Sequence, residues 1–176
     1  AQYPAKATQV ALPQLLRIPE GQYQKNLTLD HQDTAIVLYV QGQEGSDKNR
    51  ARYALLGQIL SAPYYQTMRT EQQLGYIVFA TPFPQQTIPG LAFIVQSPEA
   101  SPQAIIDSSL NFFSGFEQQL ANMSEEEFNS YRQGLSSLLL EKPKNMAEKV
   151  VRFWRDIEVR RYSFDTSEAI AAEVKT

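Results

Sequence analysis

The chain has no cysteine and a single histidine, His31, among its 176 residues. Without thiols it can hold no cysteine nucleophile, iron–sulfur cluster or zinc finger. One imidazole excludes every motif that needs two, including the zinc-binding H-E-x-x-H helix and its inverted form H-x-x-E-H. Long apolar runs are equally scarce. The longest covers residues 35–40, against roughly 18 residues for a membrane-crossing helix, so no membrane partner is expected. The first 20 residues lack a charged start followed by an apolar stretch, which suggests either a chain made without a leader or one that begins well inside a longer polypeptide. An excess of one charge is missing too: 16 Lys+Arg against 19 Asp+Glu leave a net charge of −3, and no nucleic-acid partner follows from that balance. The lack of cysteine suits a reducing cytosol and an oxidising periplasm alike.

What is present describes a folded domain. Hydrophobic residues make up 43% of the chain, and a chain of about 150 residues already buries roughly 68 to 70% of the surface it exposes when unfolded. Residues 1–21, with three prolines, read as a lead-in or linker with an edge strand near residues 15–18. Residues 22–176 read as one α+β domain. A strand is expected over residues 23–29, and TAIVLYVQ (34–41) is apolar on both parities, as a centrally placed, doubly covered strand would be. Ser46-Asp47 starts an amphipathic helix that Pro63 kinks on its way to Arg69. LGYIVFAT (74–81) and LAFIVQS (91–97) form an antiparallel hairpin around a proline-rich loop. Ser101-Pro102, Ser124-x-x-Glu127 and Asn145-x-x-Glu148 each start a further helix. The second of these carries a core side of Phe128, Tyr131, Leu135 and Leu138, and the third carries Val150, Trp154 and Ile157. Strands first and helices afterward predict an antiparallel sheet of four or more strands with helices packed against it.

Few residues have the chemistry of a site. His31, flanked by Asp30 and Asp33, could be oriented as a general base, but no G-x-S-x-G turn presents a serine to it, and a surface or capping role fits its turn-like surroundings. Glu125, Glu126 and Glu127 have the pattern of acidic first-turn residues beside a capping serine. Arg152, Arg155, Arg160 and Arg161, offset by Asp156 and Glu158, read as a solvated face. The segment YYQTMRTEQQLGYIVFA (64–80) stands apart, because it joins a helix end to a core strand and sets Arg69 and Tyr76 seven residues apart around Gly75. Arg69 would offer a fork of donors to a peptide carbonyl or carboxylate, and Tyr76 a phenolic O–H to a carbonyl or oxyanion. Equally, Arg69 could serve only to complement a helix dipole and Tyr76 only to fill the core.

Three pieces, RTEQQLGYIV (69–78), GLAFIVQS (90–97) and EKPK (141–144), together resemble the C-terminal half of the pitrilysin and insulin-degrading-enzyme type of zinc metalloprotease. The likeness runs from about residue 22 to residue 162. It implies the two-layer sandwich of that family's domains, four of which form two halves around a closed chamber, and it places this stretch in the last domain. It also implies that Arg69 and Tyr76 hold the substrate backbone and that peptides are the substrates. The Zn2+, its H-x-x-E-H motif, the downstream glutamate ligand and the water-activating Glu would come from the N-terminal half of the same polypeptide. The expected function is that of a non-catalytic domain of a zinc metalloendopeptidase, excised from a longer chain, with no catalytic residue, no metal ligand and no cofactor of its own. Periplasmic residence is implied by the likeness to bacterial pitrilysin. Two rivals remain: a catalytically inert assembly domain of the same fold family, and an independent hydrolase built on Asp30 and His31.

Overall fold

A computed structural model describes residues 14–176. Three strands, β1 (Thr34–Gln41), β2 (Ile77–Pro82) and β3 (Gly90–Ser97), form an antiparallel sheet in the order β1-β3-β2. Five helices accompany it: α1 (Asp47–Tyr65), α2 (Pro102–Ala121), α3 (Glu125–Leu139), α4 (Met146–Glu158) and α5 (Thr166–Val174). The architecture is α+β, as the order of elements along the sequence predicts. Four of the helices start where their capping residues stand. The side chains of Ser46, Ser101, Ser124 and Asn145 accept the amide N–H of Asn49, Ala104, Glu127 and Glu148 respectively, each satisfying one of the donors that a helix start leaves free.

One face of the sheet carries the core. Alternation points Val78 and Ala80 of β2, and Leu91, Phe93 and Val95 of β3, toward Ile59, Leu60, Tyr64 and Met68 on one side and toward Ile105 and Phe116 of α2 on the other. Helix α1 lies over β2 and α2 over β1. Where they meet, the fully buried Tyr64 ring packs edge-on against Phe93 and Phe112, at centroid distances of 5.1 and 5.3 Å. Ser109 spends its only proton on the Ile105 carbonyl (2.8 Å), so the Tyr64 hydroxyl is the donor in their 3.0 Å contact and no polar atom of the pair is left unpaired. Behind α1, Ala51, Leu135 and Val174 form a smaller apolar cluster that seats α3 and α5.

The sheet has three strands among the described residues, not four or more. Residues 15–18 are held by a side chain and not by a ladder: the Ile18 N–H donates to Gln41 Oε1 at 2.9 Å, and Gln41 Nε2 donates to the Leu16 carbonyl at 3.2 Å. Over residues 23–29, Tyr23, Leu27 and Leu29 alternate as a strand would, yet all three are exposed and no strand forms. Alternation marks a face that could be covered, whereas a strand also needs an edge to pair with. Nor is β1 covered on both sides. Ile36 and Leu38 face the core, while Ala35 and Val37 share an open face with Ile77 and Phe79 of β2.

The helical third departs from expectation in the same way. Leu138 and Phe128 of α3 are exposed, and so are Val150, Trp154 and Ile157, the stripe expected to place α4 on a core. Trp154 turns its indole N–H to Glu158 at 2.8 Å. The stripe keeps the 3.6-residue period of an amphipathic helix, but nothing among the described residues covers that face. Helix α5, nine residues with no side-chain cap, carried too little signal to be expected.

Candidate functional site

Arg69 and Tyr76 are set by the way α1 ends. Pro63 has no N–H to continue the ladder, and from Gln66 to Glu71 the helix widens into a π-turn. The Gln72 N–H reaches back five residues to the Thr67 carbonyl (3.0 Å) and the Leu74 N–H six residues to Met68 (2.9 Å). Between them Gln73 adopts the left-handed conformation, φ 52°, of a Schellman-type stop. Met68 is fully buried and anchors the turn in the core, which leaves the adjacent Arg69 in solvent.

Gly75 follows, packed against β3. A Cβ there would collide with the Gln96 carbonyl oxygen and come within 2.9 Å of Val95 Cγ1. This close approach lets the Tyr76 N–H donate to the Gln96 carbonyl at 3.0 Å, one residue ahead of β2. Tyr76 and Arg69 consequently line one open cleft of about 770 Å³, together with Tyr65, Gly75, Ser97 and Glu99. The far wall is braced by Ser97, whose Oγ accepts the N–H groups of Glu99 and Ala100 at 3.2 and 2.8 Å.

The Tyr76 hydroxyl is already engaged. It donates to Asp33 Oδ2 at 2.6 Å, and Gln96 Nε2 donates to the same oxygen at 2.9 Å. This bond stabilises the protonated phenol and pushes the Tyr76 pKa up, while accepting from Tyr76 and then from Gln96 pulls the Asp33 carboxyl below its usual value. Tyr76 was expected to offer a free O–H; here that proton points to Asp33, and the free cationic donor of the cleft is Arg69. Asp33 and Gln96 are the residues that sequence reasoning missed. In the sequence Asp33 stands out only as a neighbour of His31, and Gln96 only as part of a strand.

The other candidates behave as local structure. His31 is 59% exposed at its side chain and lies 3.9 Å from the Asp33 carboxylate. Its Nδ1 accepts the Asp33 backbone N–H at 3.0 Å, as a turn-capping imidazole does. The carboxylate nearest to it is thus Asp33, which Tyr76 and Gln96 already occupy, and not Asp30. Glu125, Glu126 and Glu127 occupy the first turn of α3, where the helix dipole favours them. Arg152 pairs with Glu168 at 2.5 Å, and Arg161 with Asp47 at 2.5 Å and Asp165 at 3.1 Å, so this basic stretch ties α4 to its neighbours. Among the described residues no three His, Cys, Asp or Glu side chains converge on a point that could hold a metal ion, so a zinc ion has no fit here. Also among the described residues, no helix is long and apolar enough to cross a membrane.

The chain is thus an α+β domain, an antiparallel sheet covered on one face by helices, with Arg69 and Tyr76 lining one cleft where α1 passes toward β2. The chain belongs to the insulinase family of peptidases as a C-terminal domain, since the family model described as "PQQ synthase PqqF-like, C-terminal lobe domain 4" matches residues 55–154. Insulin-degrading enzyme of Homo sapiens is 34% identical over 146 residues, which is 83% of this chain and 14% of that protein. Protease 3 of Escherichia coli K12 is 32% identical over 122 residues, 69% of this chain and 13% of that protein. Among solved structures, pitrilysin superposes with a TM-score of 0.73 at 30% identity, over 83% of this chain and 16% of that one. A putative M16-like peptidase from Alicyclobacillus acidocaldarius, with a TM-score of 0.56 at 16% identity over 81% of this chain and 34% of that one, shares the fold. The chain thus spans a small fraction of the relatives it matches.

Proposed function

We propose that this domain is the non-catalytic, substrate-holding end of a zinc metalloendopeptidase that degrades peptides in a closed chamber. Zn2+, its ligands and the water-activating glutamate belong to the N-terminal half of the parent polypeptide, and no step of the hydrolysis is assigned to this chain. Its own contribution is a chamber wall and two backbone contacts: the Arg69 guanidinium, a fork of donors for a peptide carbonyl, and the Tyr76 phenol beside it. The observation that carries this reading is that a π-turn and a glycine place both side chains on one cleft of a family domain. Closure of a chamber over that cleft would exclude water and limit substrate size. Periplasmic residence goes with the reading, by likeness to bacterial pitrilysin.

The test uses the full-length parent. Tyr76→Phe removes the hydroxyl oxygen at the cleft together with its bond to Asp33, and should lower kcat/KM for peptide hydrolysis by about tenfold, roughly 1.4 kcal/mol. Unchanged kinetics in both Tyr76→Phe and Arg69→Ala would leave the alternative, a catalytically inert structural domain of the same fold family, as the surviving reading.

A further inference from the structure

Asp33 and Tyr76 are 43 residues apart in sequence and stand at the ends of β1 and β2, two strands that do not touch. The central strand β3 separates them, so their backbones are about 9 to 10 Å apart in the sheet direction. The phenol spans that gap. Gln96, on β3 itself, faces Ala35 of β1 and Ile77 of β2 in register, and its amide reaches the same Asp33 oxygen as the phenol does. One carboxylate oxygen therefore gathers donors from both other strands at the sheet end that borders the cleft. The Asp33 side chain is only 16% exposed, whereas Tyr76 is half-exposed and would sweep several rotamers without a partner.

We propose that Asp33 is the positioning residue of this site, holding the Tyr76 phenol at the cleft wall through a hydrogen bond that Gln96 braces across the sheet. The inference rests on the substrate-contact reading of Tyr76 for its effect on activity, but not for the bond itself. Asp33 need not touch substrate. It fixes the ring so that the ordering cost is met before substrate arrives. An acceptor oxygen at this position is what the arrangement requires, so asparagine should substitute in part and alanine should not.

A kinetic cycle in the full-length peptidase tests the effect on activity. Asp33→Ala is expected to lower kcat/KM about as much as Tyr76→Phe does, to add less than twofold in the Tyr76→Phe background, and to be partly rescued by Asp33→Asn. Losses that multiply in the double variant, or an Asp33→Ala enzyme as active as the parent, would overturn the positioning role. The bond itself is read separately, from the ¹³Cζ tyrosine resonance of Tyr76 in the same enzyme, identified by its disappearance in Tyr76→Phe. The proposal expects that line to titrate at lower pH in Asp33→Ala than in the parent, the other ionisable side chains nearby, Tyr65, Arg69 and Glu99 of the cleft and His31 beside Asp33, being present in both enzymes. An identical titration would overturn it. A flat Tyr76→Phe with a shifted titration would instead sink the substrate-contact reading and leave the Asp33 bond standing.

Discussion

Replacing Gly75 with alanine adds one methyl group where the structure has no room for it. The new Cβ would meet the Gln96 carbonyl oxygen, a backbone atom inside the β2–β3 ladder that cannot swing aside as a side chain could, and Val95 Cγ1 at 2.9 Å. Relief requires the junction between the π-turn and β2 to move off β3. Overpacking of this kind costs about 1 to 3 kcal/mol, and separating the Tyr76 N–H from the Gln96 carbonyl forfeits about 1 kcal/mol more. Together they predict a loss of roughly 2 to 4 kcal/mol, read by urea denaturation, or a fall in Tm of about 4 to 16 °C for a domain of this size. Because the same shift carries Tyr76 away from Asp33, kcat/KM of the parent peptidase should fall at temperatures where the variant is fully folded. An alanine variant with unchanged stability and unchanged kcat/KM would refute the argument that contact between Gly75 and β3 sets the cleft.

Two further outcomes follow from polar pairs elsewhere. Ser109→Ala leaves the buried Tyr64 hydroxyl without its acceptor and should cost about 1 to 3 kcal/mol, while adding Tyr64→Phe should recover most of it, a pattern that a double-mutant denaturation cycle detects. The depressed Asp33 pKa makes its contribution to stability fully present above the ordinary aspartate value near 3.9 and progressively lost as pH falls through the lower folded value. Acid unfolding should accordingly separate the wild type from Asp33→Asn near neutrality and bring them together in strong acid, and curves that stay parallel across that range would contradict it.

Features fixed by chemistry within a few residues were legible in the sequence. Ser46, Ser101, Ser124 and Asn145 announce their helices because a cap needs only an acceptor three residues before an N–H. The β2–β3 hairpin follows from alternation, whereas β1, apolar on both parities, carries no sign of which face stays open. Arg69 and Tyr76 were found as residues, but not as a geometry. Their relation to Asp33 depends on which strand lies between β1 and β2 and in what register, and neither is encoded locally. The period of α4 was also legible, yet an apolar stripe does not say what covers it: Val150, Trp154 and Ile157 satisfy the pattern and face solvent here.

The π-turn at residues 66–71 gives this region a sensitivity of its own. Tyr64 and Met68, four residues apart and both fully buried, lock the start of the turn into the core, while Gly75 and the ladder beyond it lock the far end onto β3. Six residues are wound between two fixed points, and their number, more than their identity, decides where Arg69 emerges. Each residue in a regular helix turns the chain by about 100°. Loss of a single residue from this span would restore an ordinary helix and carry the arginine about a quarter-turn or more out of phase with the tyrosine, leaving the core composition and every capping residue intact. The segment is thus a gauge of length, open to exchange of its exposed side chains but closed to insertion or deletion.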